Sequence, residues 1–111
     1  MAYNILIVED ATDLMDLLKS KLSKNGYQVK ATISCEEGLE IFYEFLADVI
    51  ILDVNVDGED GRDVCKQIRT HADFQHIPVI MISANDSALL SYQEYGASDI
   101  LKKPFRFAQL H

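Results

Sequence analysis

The chain has 111 residues, 49% of them hydrophobic, and 18 acidic against 10 basic side chains leave a formal net charge of −8. That length suffices for one domain with a core and is too short for two. The acidic balance argues against direct binding to nucleic acid or to an anionic membrane. The two cysteines, Cys35 and Cys65, form no CxxC pair, and they read as buried free thiols in a reducing cytoplasm. With no basic leader, cleavage site or apolar stretch of bilayer length, a cytoplasmic protein is expected.

In chain order, Ile5-Leu6-Ile7-Val8 is an uninterrupted apolar run that ends in two acids, Glu9 and Asp10. Such a run reads as a strand buried on both faces, as in parallel sheets. Leu14, Leu18 and Leu22 then keep helical step until Asn25-Gly26, both tolerant of the left-handed conformation that ends a helix. Tyr27 to Thr32 reads as a second strand. Ser34 with Glu37 matches a capping box, and Leu39, Phe42 and Leu46 mark the helix behind it. Val49-Ile50-Ile51-Leu52 is the third strand and runs into Asp53. Asp57 to Gly61 is a loop by composition, and Val64 and Ile68 mark a helix ending near His71. Val79 to Ile82 forms a fourth strand, ending at Ser83-Ala84. A helix through Leu89 and Tyr92 closes at Gly96, Asp99 to Lys102 is a short last strand, and a final helix starts at Phe105 and stops with the chain at His111. Strand and helix in alternation imply a parallel sheet with helices on both faces.

Four of these strands end in a reactive group: Glu9-Asp10, Asp53, Ser83 and Lys103. In a parallel sheet all carboxyl ends share one edge, where ligands bind if the strands are neighbours. Three carboxylates there need counter-charge. Lys103 offers one positive charge, and a divalent cation would supply the rest. Oxygen ligands with room for water suit Mg²⁺ better than a full Ca²⁺ cage, and no His/Cys group has zinc spacing. A carboxylate beside a cation, an ammonium and a hydroxyl can accept a phosphoryl group. Blander uses remain open for each residue taken singly. Asp53 could be a turn or cap acid, Asp10 a helix cap, and Ser83 a turn residue. His71, His76 and His111 read as solvated surface groups.

In this order and spacing, Ile7-Val8-Glu9-Asp10, Leu52-Asp53, Asp60-Gly61, Ile82-Ser83-Ala84, Tyr95-Gly96-Ala97 and Lys103-Pro104-Phe105 resemble the response-regulator receiver domain of two-component signalling. The resemblance covers essentially the whole chain. It implies one receiver domain over residues 1–111. The implied fold is α/β: a doubly wound, flavodoxin-like, five-stranded parallel sheet of order 2-1-3-4-5, flanked by helices, with the last helix truncated. It implies that Asp53 takes a phosphoryl group from a sensor histidine kinase or a histidine phosphotransfer protein. Mg²⁺ would be held by Asp10, Asp53 and the backbone carbonyl of Asn55, with Glu9 acting through water. Lys103 would pair with the phosphorylated carboxylate and Ser83 would turn toward it. Such a domain is no enzyme beyond Mg²⁺-dependent self-phosphorylation and slow autodephosphorylation. Its output domain or partner would lie outside this chain.

Three features depart from the family. Ile100 stands where the family has an aromatic residue three before its lysine. Asp57 stands where the loop after the acceptor usually has proline, and the last helix is short. A pseudo-receiver, binding partners without phosphate, is the alternative that Ile100 and the altered loop support. A phosphohydrolase with an aspartyl-phosphate intermediate would need a second acid two residues after the nucleophile, where Asn55 stands.

Overall fold

The computed structural model describes residues 3–56, 59–83 and 97–102. The elements are β1 (Asn4–Val8), α1 (Thr12–Lys24), β2 (Gln28–Thr32), α2 (Cys35–Phe45), β3 (Val49–Asp53), β4 (Asn55–Val56), β5 (Glu59–Asp60), α3 (Arg62–Arg69), a 3-10 turn at Ala72–Phe74, β6 (Val79–Ser83) and β7 (Asp99–Lys102). The helix expected through Leu89 and Tyr92, and the truncated one from Phe105, lie outside the described residues.

The main sheet is parallel throughout, in the order β2-β1-β3-β6-β7. Counting only its own strands, that is the expected 2-1-3-4-5. Apart from Asn4, Asp53 and Ser83 at their ends, its central strands β1, β3 and β6 are apolar throughout because both faces are covered. Ile5, Ile7, Ile51 and Ile82 pack with Leu18 and Leu22 of α1 on one face. Leu6, Val8, Ile50, Leu52 and Met81 pack with Phe42 of α2 and Val64 and Ile68 of α3 on the other. Alternate side chains of a strand point to opposite faces, so each run feeds two cores. Cys35 and Cys65 are buried thiols not joined in a disulfide, and burial pushes the Cys65 thiol above its usual range. Among the described residues no helix is long and apolar enough to cross a membrane.

Helix ends follow local chemistry. After α1, Gly26 adopts φ +92°, its N–H donates to the Ser23 carbonyl, and the Tyr27 N–H donates to the Leu22 carbonyl. These are the two bonds of a Schellman stop, so Tyr27 closes the helix rather than opening β2. At the start of α2, Ser34 Oγ accepts from the Glu37 N–H at 3.3 Å, one arm of the expected capping box. The Ser34 N–H itself donates to Thr32 Oγ1 at 3.2 Å. Asn4 ties β1 to the far end of α2: its side-chain amide donates to the Phe45 carbonyl at 2.9 Å, and its N–H donates to Asp48 Oδ2 at 2.8 Å. Arg69 closes α3 by donating to the Phe74 carbonyl at 2.8 Å and to Ser98 Oγ at 3.4 Å, just before β7.

Helix α2 ends on a residue poorly suited to its place. Leu46 is left-handed at φ 55° and 68% exposed. A side chain there sets Cβ against the backbone. Leu46→Gly is expected to raise stability by roughly 0.5–1 kcal/mol, the relieved strain exceeding the added chain entropy of glycine. A urea titration checks this by a higher midpoint at unchanged slope.

Candidate functional site

The site is built by register. Val8 of β1 pairs with Leu52 of β3, so the residues that follow, Glu9 and Asp53, leave the sheet side by side. Both are buried, Glu9 at 0% and Asp53 at 5% exposure, whereas Asp10 faces solvent. One carboxylate oxygen from each of Glu9, Asp10 and Asp53 can be chosen so that all three lie within 4.8 Å of one another. Oxygens of an octahedral Mg²⁺ shell stand about 3–4 Å apart, given bonds near 2.1 Å. The set therefore fits a hard divalent ion with small side-chain adjustment, and its all-oxygen chemistry favours none of the softer metals.

Glu9 is held by its surroundings. Its N–H donates to the Thr32 carbonyl at 3.0 Å, and its Oε2 accepts the Ala11 N–H at 3.2 Å. The cap position of α1 is Ala11, which supplies no side-chain bond. Helix α3 likewise starts past Gly61, so Asp53 is a strand-end acid and not the cap of the next helix. Thr32 serves both Glu9 and Ser34, a role its sequence pattern did not announce.

Ser83 ends β6, the other neighbour of β3. Asp53 pairs with Ile82, and Ser83, one residue on, is 7% exposed. The sheet thus brings four of the expected residues, Glu9, Asp10, Asp53 and Ser83, to one edge. Lys103 lies outside the described residues. The strand that leads to it, β7, pairs with β6 with Ser83 opposite Lys102.

The stretch after Asp53 is not the plain loop its composition suggests. β4 and β5 pair antiparallel, Asn55 with Asp60 and Val56 with Glu59, on either side of Asp57-Gly58, which lie outside the described residues. An Asp-Gly dipeptide between short runs is a hairpin signal in a sequence, and the loop-like composition obscured it. At the ribbon's base the Gly61 N–H donates to the Val54 carbonyl at 2.6 Å. Hydrogen-bonded and non-bonded pairs alternate along an antiparallel ladder. Asn55 therefore falls at a non-bonded position, its carbonyl directed away from β5. Beyond the ribbon, the Arg62 guanidinium grips the Asp60 carboxylate, Nε to Oδ1 at 2.9 Å and a terminal nitrogen to Oδ2 at 2.8 Å. The Arg62 N–H adds a third contact at 3.0 Å.

Comparison with known proteins agrees with this geometry. The family model described as response regulator receiver domain matches residues 5–111. A chain classed as a response regulator from Chloroflexus aurantiacus superposes with a TM-score of 0.91 at 35% identity, covering 99% of this chain and 92% of that one. The chemotaxis protein CheY4 of Vibrio cholerae gives 0.90 at 25% identity, over 99% and 93% of the two chains. The BeF3-activated receiver domain of RstA from Klebsiella pneumoniae gives 0.86 at 25%, over 96% and 91%.

The Arg62 clamp carries a pH signature. Its hydrogen bond to Asp60 holds that carboxyl below its ordinary 3.8, with burial opposing. A depressed carboxylate stabilises the fold above its unfolded pKa, and that contribution fades as pH falls through the folded value. Asp60 is partly exposed, so the effect is at most about 1 kcal/mol. Asp60→Asn should lower the urea midpoint at pH 7, and the gap to wild type should close below pH 3.8. Denaturation curves at the two pH values check it.

Proposed function

This chain belongs to the response regulator receiver domain family, and on that premise we propose that residues 1–111 form one phosphoryl-accepting domain with Asp53 as acceptor. Receiver domains of two-component systems are in general phosphorylated and bind Mg²⁺ at an acidic pocket. The observation that carries the assignment here is the convergence of Glu9, Asp10 and Asp53 within 4.8 Å at the ends of neighbouring strands. The donor is the phosphohistidine of a sensor histidine kinase or a histidine phosphotransfer protein.

In the transfer, an Asp53 carboxylate oxygen attacks phosphorus in line and forms an O–P bond. The P–N bond to the donor imidazole breaks, and the ring leaves with that electron pair and takes up a proton. Asp10, Asp53 and the Asn55 carbonyl are the residues that would hold Mg²⁺, with Glu9 assisting through water. When bound there, Mg²⁺ would supply positive charge against the phosphoryl oxygens. The Ser83 hydroxyl donates to one of those oxygens, and the Lys103 ammonium pairs with another. Phosphorylation adds about one negative charge over bare Asp53, and Ser83 and Lys103 respond to it. Slow hydrolysis of the acyl phosphate returns Asp53. The domain turns over no separate substrate, and its output partner lies outside these residues.

A second reading keeps the fold and drops the phosphate, leaving a constitutive binding module. One observation favours it: Ile100 packs against the larger core and offers no ring to the site. The same measurement separates the two. With Mg²⁺ and acetyl phosphate, the intact mass should rise by one phosphoryl group. Asp53→Asn, or removal of Mg²⁺ by chelation, should abolish the increment. A chain unmodified at every donor concentration is a pseudo-receiver.

A further inference from the structure

We propose that Gly61 is a positioning residue for this transfer, fixing the peptide that joins the acceptor Asp53 to the Asn55 carbonyl. The inference rests on Asp53 being the acceptor.

Gly61 does not owe its identity to torsion, since φ −59° and ψ −23° suit any residue. Space demands glycine instead. A Cβ at this position would fall on the Asp53 carbonyl oxygen, far inside contact distance, with the Asp53 carbonyl carbon at 3.0 Å and Leu52 Cδ1 at 3.4 Å. That oxygen has little room to retreat. β3 is a central strand, paired with β1 on one side and β6 on the other. The next N–H along, that of Val54, donates to the Ile82 carbonyl at 3.1 Å.

The same close approach makes a bond. The Gly61 N–H reaches the Val54 carbonyl at 2.6 Å and closes the base of the β4–β5 ribbon. Val54 stands between Asp53 and Asn55, so this one bond locks the carbonyl midway between the two proposed ligands. The ladder phase it sets directs the Asn55 carbonyl out of the ribbon. Asp60 and Arg62, clamped to each other on either side of Gly61, hold the contact in place. A substituent on Gly61 must push back the Asp53–Val54 peptide or lift α3 off the sheet. Either movement carries the acceptor and the carbonyl ligand away from each other.

A merely structural glycine would cost stability and nothing else, and Gly26 supplies that comparison. Its Cβ would meet nothing within 4 Å, and its φ of +92° makes any substitution strained. It sits in the α1–β2 turn, at the sheet edge opposite the site. Gly61→Ala and Gly26→Ala are compared at a temperature where circular dichroism shows both folded. Two readouts are taken: the rate of phosphoryl uptake from acetyl phosphate, and the Mg²⁺ dissociation constant from an amide NMR titration without donor. Gly26→Ala should keep wild-type values for both. Gly61→Ala should lose about tenfold or more in rate, as misplacement of a reacting group by a fraction of an ångström to an ångström does, and should bind Mg²⁺ several-fold more weakly. Wild-type rate and Mg²⁺ affinity in folded Gly61→Ala overturn the proposal. If that variant does not fold, glycolic acid at position 61 replaces the amide by an ester, removing the N–H and adding no carbon. The ester should show the same two losses, and unchanged values overturn the role. A wild-type chain that accepts no phosphoryl group overturns the acceptor reading itself and removes the reaction Gly61 would serve.

Discussion

Everything at the site follows from the register between β1 and β3. Val8 lies opposite Leu52, so two strands that read almost alike deliver their acids at the same height. A slip by one residue would carry Glu9 past Asp53 and invert which side chains enter which core. The apolar runs resist that slip, because both faces are packed: Ile5, Ile7, Ile51 and Ile82 against α1 on one side, Leu6, Val8, Ile50 and Leu52 against α2 and α3 on the other. The two cores fix the register, and the register places the charges. Burying like charges together works against folding, so the cluster is maintained by apolar packing elsewhere and not by any preference of its own. The backbone also moderates it, as the Ala11 N–H at the entrance to α1 reaches Glu9 Oε2.

This division of labour explains where the chain is fastened. Asn4 joins β1 to the end of α2, and Arg69 joins the end of α3 to the residue before β7. Both fastenings lie toward the amino ends of the strands, away from the acids. The carboxyl edge is left to short connections whose backbone groups serve the site, among them the Thr32 carbonyl under the Glu9 N–H. A sheet bolted at one edge can keep its strands in place while the other edge accommodates a change of charge.

The main sheet was legible because its signals are local and repeated. Ile5 to Val8, Val49 to Leu52 and Val79 to Ile82 are short apolar runs that a buried helix segment could also show, and their β-branched content and alternation with helical stretches favoured strands, while Asp99 to Lys102 was read to the residue. The convergence of Glu9, Asp10, Asp53 and Ser83 was legible on the condition that their strands are neighbours, and the strand order itself came from the family resemblance. What escaped were features that depend on contacts across the chain. Tyr27 reads as strand until Leu22 and Ser23 are seen to need its turn. The 3-10 turn at Ala72–Phe74 carries no periodic pattern. Thr32 is an ordinary strand residue in sequence, and its carbonyl meets the Glu9 N–H only after β2 has paired with β1. Gly61 could be read as a loop glycine, because sequence says nothing of what a Cβ would strike.

The ribbon after Asp53 shows how one constraint can replace another. Proline, usual in the family where this chain has Asp57, restricts a loop by locking φ at one residue. This chain lacks that ring but pairs Asn55 with Asp60 and Val56 with Glu59, and closes the base through Gly61. Backbone bonds across a ribbon restrain several torsions together, and they do so relative to the rest of the fold, since the Asp60–Arg62 clamp roots the ribbon in α3. A loop stiffened by its own ring can still swing as a body, whereas a ribbon anchored at Val54 and at α3 cannot swing without breaking bonds. The acids that displaced the proline are therefore compatible with a well-positioned Asp53, and the substitution at position 57 is no ground for denying this chain a working acceptor.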